Sequence, residues 1–205
     1  MPETRASTSR AELPAPVVVR NFLSDEEIRK IFAFGREMQV DEHGGALVNY
    51  GEGAHFALFL HHGGFMFDDC WRSFATAEPE LLEKMISKAR HHAAEASICP
   101  LSTELNIRCI ELHQYTCGGG LEDKNHTDLG SSITLSVQLS PPGDGGRFST
   151  TNRAGTTTVH ELNAGDAIVL HSEMVHNVST LTSGERNSLV IELWTGRANK
   201  RDRFG

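Results

Sequence analysis

Ile133, Leu135, Val137 and Leu139 alternate with Thr134, Ser136, Gln138 and Ser140, a repeat of two that predicts a strand with unlike faces. Pro141-Pro142-Gly143-Asp144-Gly145-Gly146 follows at once and ends the run with turn chemistry. The same short rhythm predicts strands at 105–115, 146–151, 156–162, 166–171, 175–181 and 186–195. Turns such as Asn163-Ala164-Gly165-Asp166 and Thr182-Ser183-Gly184-Glu185 divide them. With 133–140 this makes seven strands, and a short one around His126 would make eight. Strands of this number and spacing predict a sandwich or a jelly roll.

The N-terminal half follows a different period. Val17-Val18-Val19 reads as a short first strand. Ser24 with Glu27 three residues on is a capping-box pair, and Ile28, Ile31 and Phe32 then recur at helical spacing, so a helix is predicted over 24–38. Pro79 suits the first turn of a second helix, about 79–96, in which Leu82, Met85, Ile86 and Ala89 form one apolar stripe. Residues 41–64 are rich in glycine and histidine and predict strands and loops whose order the pattern does not give. The chain is therefore expected to be mostly β with flanking helices.

Composition narrows the class. A chain of 205 residues with 39% hydrophobic and 22% charged positions is enough for one well-filled domain. Its net charge of -8 argues against nonspecific nucleic-acid binding, which needs a basic surface. Cys70, Cys99, Cys109 and Cys117 form no CxxC pair and read as reduced thiols, which favours a reducing compartment and a cytoplasmic location. No uninterrupted apolar run is long enough for a membrane span. Residues 1–15 contain Glu3 and Glu12 and lack an apolar core, so a flexible leader is expected and not a secretory signal; Arg5 and Arg10 leave organelle targeting open.

Chemistry concentrates in five residues. His126 and Asp128 stand one residue apart, His176 comes fifty positions after His126, and Arg186 and Ser188 follow on one strand face. Two imidazoles and a carboxylate can occupy one face of Fe(II) and leave the other open, the 2-His-1-carboxylate arrangement of non-haem oxygenases. Arg186 and Ser188 would then offer donors to the far carboxylate of an organic acid. Each has a plainer reading: His126 and Asp128 as turn-holding residues, His176 as a packed strand histidine, Arg186 as a solvated strand start. The order of all five together favours the metal site, and Val190 continues the same face as an apolar position, which favours the interior for Arg186.

On these residues the chain resembles the 2-oxoglutarate- and Fe(II)-dependent dioxygenase superfamily, most closely its prolyl 4-hydroxylase-like branch. The resemblance runs over about 105–196, through Tyr115-Thr116-Cys117-Gly118, His126-Thr127-Asp128, Gly145-Gly146-Arg147-Phe148, Ala164-Gly165-Asp166-Ala167, His176 and Gly184-Glu185-Arg186-Asn187-Ser188. It implies a double-stranded β-helix (a jelly roll) with an N-terminal helical support. In that division 1–15 is the leader, 16–104 the support with its leading strands, 105–196 the catalytic core in one domain with that support, and 197–205 a basic tail. It further implies that His126, Asp128 and His176 bind iron, that Arg186 with Ser188 takes the distal carboxylate of 2-oxoglutarate, and that Tyr115 assists. The activity implied is hydroxylation of an unactivated C–H bond with O2 as second cosubstrate, giving succinate and CO2. Ascorbate fits such a site as a protecting reductant. Two departures stand out: collagen-type prolyl hydroxylases usually carry lysine where Arg186 stands, and an aromatic where Leu121 stands. The alternatives are a cupin-like metalloenzyme, a silent ligand-binding relative and a structural sandwich.

The remaining histidines, His61-His62, His91-His92, His113, His160 and His171, read first as surface or structural residues. His113 and Glu111 share a strand face and stand near enough to approach the site. Gly118-Gly119-Gly120 reads as a flexible turn or a mobile rim, and Cys109 and Cys117 as packing or loop thiols. The substrate is expected to be a small molecule or a peptide, chosen by 41–75 and 117–125, for which no code is readable. Oligomeric state is left open.

Overall fold

The computed structural model describes residues 12–40, 47–49, 54–61, 73–141 and 143–198. Most of the expected leader, much of 41–72 including His62 and Cys70, and the end of the basic tail lie outside the described residues. In chain order the elements are β1 (Val17–Val19), α1 (Asp25–Val40), β2 (Leu47–Asn49), β3 (His55–Phe59), α2 (Phe74–Ala77), α3 (Pro79–Glu95), β4 (Asn106–Tyr115), β5 (Ile133–Gln138), β6 (Phe148–Thr151), β7 (Thr157–His160), β8 (Ala167–His171), β9 (Val175–Val178) and β10 (Arg186–Trp194).

The seven strands expected beyond residue 105 all form, several shorter by a few residues at their ends. The short strand expected around His126 does not. Residues 126–128 lie in irregular backbone, and the nearest pairing is a single bridge between Leu121 and Val178. That backbone instead leans on neighbours: Asp128 N–H donates to the Ser172 carbonyl at 2.9 Å, which leaves no regular ladder to extend. Helix α2, four residues capped by the Ser73 hydroxyl, was not expected.

Two antiparallel sheets carry the fold. The larger has the order β1-β8-β5-β10-β4-β3-β2 and the smaller β7-β6-β9. Among the described residues this is the mostly β architecture with flanking helices read from the pattern. The N-terminal half is woven in, because β1 pairs with β8 and β3 with β4. The capping box is made: Glu27 accepts from the Ser24 backbone N–H at 2.9 Å and Ser24 Oγ accepts from Glu27 N–H at 3.3 Å.

The central strands of the large sheet, β8, β5 and β10, are largely buried on both faces. Ile133, Leu135, Val137 and Ile191 pack with Ile31, Phe34, Met85 and Ala89 of α1 and α3 in the larger core. Fully burying one such aliphatic side chain contributes about 1.5–3 kcal/mol. The second core, with Tyr115, Phe148, Ile168 and Val178, lies between the two sheets. Leu13 packs partly against it, and Glu12 accepts the Arg153 backbone N–H at 3.2 Å. All six residues of β5 are buried, so Thr134, Ser136 and Gln138 line an interior and do not face water. That polar inner face is where the chemistry collects. Among the described residues no helix is long and apolar enough to cross a membrane.

Candidate metal centre

One cavity between the sheets is lined by residues from β3, β4, β5, β6, β9 and β10. It holds every residue singled out for chemistry: His126, Asp128, His176, Arg186, Ser188 and Tyr115 all face it. His126 and Asp128 come from the irregular segment before β5, and His176 from the small sheet. The two sources are tied by backbone, since His176 N–H donates to the His126 carbonyl at 3.2 Å.

Nε2 of His126 stands 3.5 Å from Asp128 Oδ1, and Nε2 of His176 stands 3.6 Å from Oδ2. One ligand atom from each of the three lies within 4.8 Å of the others. Ligand atoms about 2.1 Å from one ion and at right angles to each other stand about 3 Å apart, so a small ion fits among these atoms with minor adjustment. The imidazoles meet edge to face, with centroids 4.7 Å apart. Nδ1 of His176 donates to the Met174 carbonyl at 3.0 Å, which leaves Nε2 with its lone pair toward the centre.

Asp128 is held from behind. The Thr134 hydroxyl donates to its Oδ2 at 2.6 Å, and Thr134 in turn is 2.9 Å from the Ser172 hydroxyl. Burial alone would raise the carboxyl's pKa. His176, His126 and the Thr134 hydroxyl outweigh it and hold Asp128 well below the usual carboxylate range. Phe148 stacks on His176 at 5.7 Å and closes the apolar side of the centre.

Arg186 is the largest fully buried side chain of the described residues. Its Nη1 donates to the Ser188 hydroxyl at 2.8 Å, and its guanidinium carbon lies 5.2 Å from the centre of the Tyr115 ring. Nε and Nη2 have no hydrogen-bond partner among the described residues. Burial lowers the guanidinium's pKa below the ordinary arginine value, and Tyr115 opposes this in part. A buried cation with two open donors in a planar fork fits a carboxylate. Gly146 makes room for it: at φ 59°, a side chain there would meet Arg186 Cδ at 3.3 Å and Leu181 Cδ1 at 2.9 Å.

Several walls of the cavity carry no signal in the sequence: His55 and Glu192 belong to no motif there, and Thr134 and Ser136 read only as the polar half of a strand. Glu111 and His113 do approach the site, as their shared face suggested. His61 is buried and His91 exposed, and neither lines this cavity. The glycine run is a built turn. Gly119 N–H donates to the Thr116 carbonyl at 2.8 Å and its own carbonyl accepts from Leu181, while a Cβ there would stand 2.0 Å from the Ala54 carbonyl oxygen. Leu121, at the position usually aromatic in collagen-type hydroxylases, lines the cavity beside Val178. Cys99 is a buried free thiol and Cys117 an exposed one.

Comparison with known proteins agrees with this geometry. No family model matches the chain. A PKHD-type hydroxylase of Colwellia psychrerythraea is 34% identical over 102 residues, 44% of this chain and 45% of that protein. The chain thus spans less than half the length of that curated relative. An oxidoreductase of the 2OG-Fe(II) oxygenase family from Burkholderia pseudomallei superposes with a TM-score of 0.59 at 16% identity, covering 91% of this chain and 87% of its own. A Pseudomonas putida prolyl-4-hydroxylase gives 0.54 at 16% identity over 90% and 94%. A viral collagen prolyl hydroxylase from Paramecium Bursaria Chlorella virus-1 gives 0.55 at 15% identity over 89% and 96%. At such identities the structures speak for the fold, which is that of the double-stranded β-helix oxygenases. Over the matched stretch the sequence is similar to a PKHD-type hydroxylase, and the fold is the one shared by the 2OG-Fe(II) oxygenase and prolyl-hydroxylase structures.

Proposed function

We propose that this protein is an Fe(II)- and 2-oxoglutarate-dependent dioxygenase that hydroxylates a C–H bond of a small-molecule or peptide substrate. The observation that carries the reading is the pairing, in one cavity, of the His126–Asp128–His176 cluster with a fully buried Arg186 whose Nε and Nη2 have no hydrogen-bond partner among the described residues. A metal site that takes no carboxylate cosubstrate would leave this buried cation without a counter-charge.

His126, Asp128 and His176 would hold the iron, and Arg186 with Ser188 would take the distal carboxylate of 2-oxoglutarate, with Tyr115 beside them. Iron with 2-oxoglutarate and O2 supplies the oxidation, one oxygen atom entering the substrate and the other the succinate formed with CO2. The chain's own part is placement. Thr134 orients Asp128, and Met174 fixes the tautomer of His176 through its carbonyl. Arg186 and Ser188 set the depth at which the cosubstrate sits. Phe148, Leu121 and Val178 keep one side of the cavity apolar and shut out water. The 16–104 segment acts with the 105–196 core as one unit, and ascorbate serves as a protecting reductant. The protein works in the cytoplasm, where its thiols stay reduced.

The test is anaerobic titration of the protein with Fe(II) and then 2-oxoglutarate, followed by admission of air and assay of succinate. A weak visible band on adding 2-oxoglutarate, then slow succinate release without substrate, is the expected result. Metal binding with neither band nor succinate would identify a silent relative.

A further inference from the structure

We propose that His55 is a positioning residue for the cosubstrate: it holds the Tyr115 ring against the Arg186 guanidinium and so fixes the fork that takes the distal carboxylate. The inference rests on the role given to Arg186 above. Three adjacent strands place these residues in one row, since Tyr115 pairs with His55 on β3 and with Arg186 on β10. Directly opposite residues share a face and touch. His55 accordingly stacks on Tyr115 with centroids 4.0 Å apart and planes 16° apart, and Arg186 lies on the same ring.

His55 is itself anchored. Its Nε2 is 2.9 Å from Nδ1 of His113, and Nε2 of His113 is 2.9 Å from Glu111 Oε2. The residue opposite His113 on β3 is Ala57, fully buried and small, which leaves space for the His55 ring to lean across. Glu111 accepts from His113 Nε2–H, and one proton lies between His113 Nδ1 and His55 Nε2. Burial, with His113 and Arg186 alongside, pushes His55 down to about 3, so at neutral pH it adds no positive charge beside the guanidinium.

The need for such a buttress follows from Arg186 itself. Ser188 fixes only Nη1, and the other donors are left for the ligand. The plane of the guanidinium then depends on the ring beneath it, and that ring depends on the His55 stack. An aromatic pair of this kind contributes enough for about a 3- to 10-fold change in affinity.

The experiment compares His55→Leu, which fills the space without a flat ring, with His55→Phe, which restores the stack. Calorimetric titration of 2-oxoglutarate into Mn(II)-loaded protein should show about 3- to 10-fold weaker binding for the leucine variant and near-normal binding for phenylalanine. Manganese affinity should be unchanged in both, and thermal melts report whether each is folded. The chain has two tyrosines, Tyr50 and Tyr115, so 3-fluorotyrosine labelling gives two fluorine signals. The Tyr115 signal should broaden in His55→Leu and stay sharp in His55→Phe. Equal 2-oxoglutarate affinity in the leucine and phenylalanine variants would overturn the positioning role, provided Arg186→Ala still weakens binding. Unchanged binding in Arg186→Ala would instead overturn the cosubstrate reading itself.

Discussion

His176 donates its backbone N–H to the carbonyl of His126 at 3.2 Å, so two imidazoles fifty residues apart are set by one backbone contact. One residue comes from irregular chain and the other from β9 of the small sheet. Main chain thus brings the two residues together, and the His176 ring is turned toward the centre by its own hydrogen bond to the Met174 carbonyl, which is how a metal site is made stiff.

Replacing His126, Asp128 or His176 with alanine removes one of three proposed protein ligands. Each variant is expected to lose turnover and most of its metal affinity while keeping the fold. Equilibrium dialysis with Fe(II) under nitrogen, beside circular dichroism, checks this. Full iron occupancy in any of the three would remove that residue from the ligand set.

Thr134→Val keeps the shape of the β5 wall and deletes the hydroxyl that donates to Asp128 at 2.6 Å. Groups that orient a ligand in this way are worth about 10- to 100-fold in metal affinity or activity. Weakened metal binding of that size is expected, with a near-normal melting temperature. An affinity equal to the parent's would show that Asp128 is held by its backbone alone.

Arg186→Ala should weaken 2-oxoglutarate binding by about 2–5 kcal/mol, roughly 30-fold to several thousandfold, since it truncates one partner of a buried charge pair. Arg186→Lys should fall between, keeping charge and losing the fork. The comparison is made by titrating 2-oxoglutarate into both metal-loaded variants. Lysine matching arginine would mean that charge alone suffices here.

Asp166 ties the first turn to the sheet. Its carboxylate accepts from the backbone N–H of Asn21 at 3.0 Å and of Asn163 at 2.9 Å, and from Arg20 at 2.7 Å. Burial opposes the charge, but these donors prevail and hold its pKa below the usual carboxylate value. A depressed acid contributes stability above its unfolded pKa of about 3.9 and loses it as pH falls through the folded value. Asp166→Asn should cost about 1–3 kcal/mol near neutral pH, and the gap between variant and parent should shrink in acid. Urea melts at pH 7 and pH 3.5 measure both; a gap that is the same at the two pH values would contradict the linkage.

Much of this protein is determined by local pattern. A repeat of two at 133–139 requires a strand because side chains alternate across a pleated backbone, and the Ser24–Glu27 box starts a helix by satisfying its own first donors. The order His126, Asp128, His176, Arg186 and Ser188 was equally legible, since each residue type carries its own chemistry. Tertiary structure decided what local pattern does not contain. Whether the polar half of β5 meets water or a cavity depends on a second sheet covering it, so Thr134 could not be recognised as the support of Asp128 beforehand. The backbone of 126–128 divides its hydrogen bonds between local turns, to Asp123 and Ser131, and Ser172 and His176 far along the chain, so no strand ladder forms. His55 belongs to the site only because β3 pairs with β4 in the register that sets it opposite Tyr115. Register across strands distant in sequence is a property of the folded sheet, where packing of the whole inner face selects one alignment.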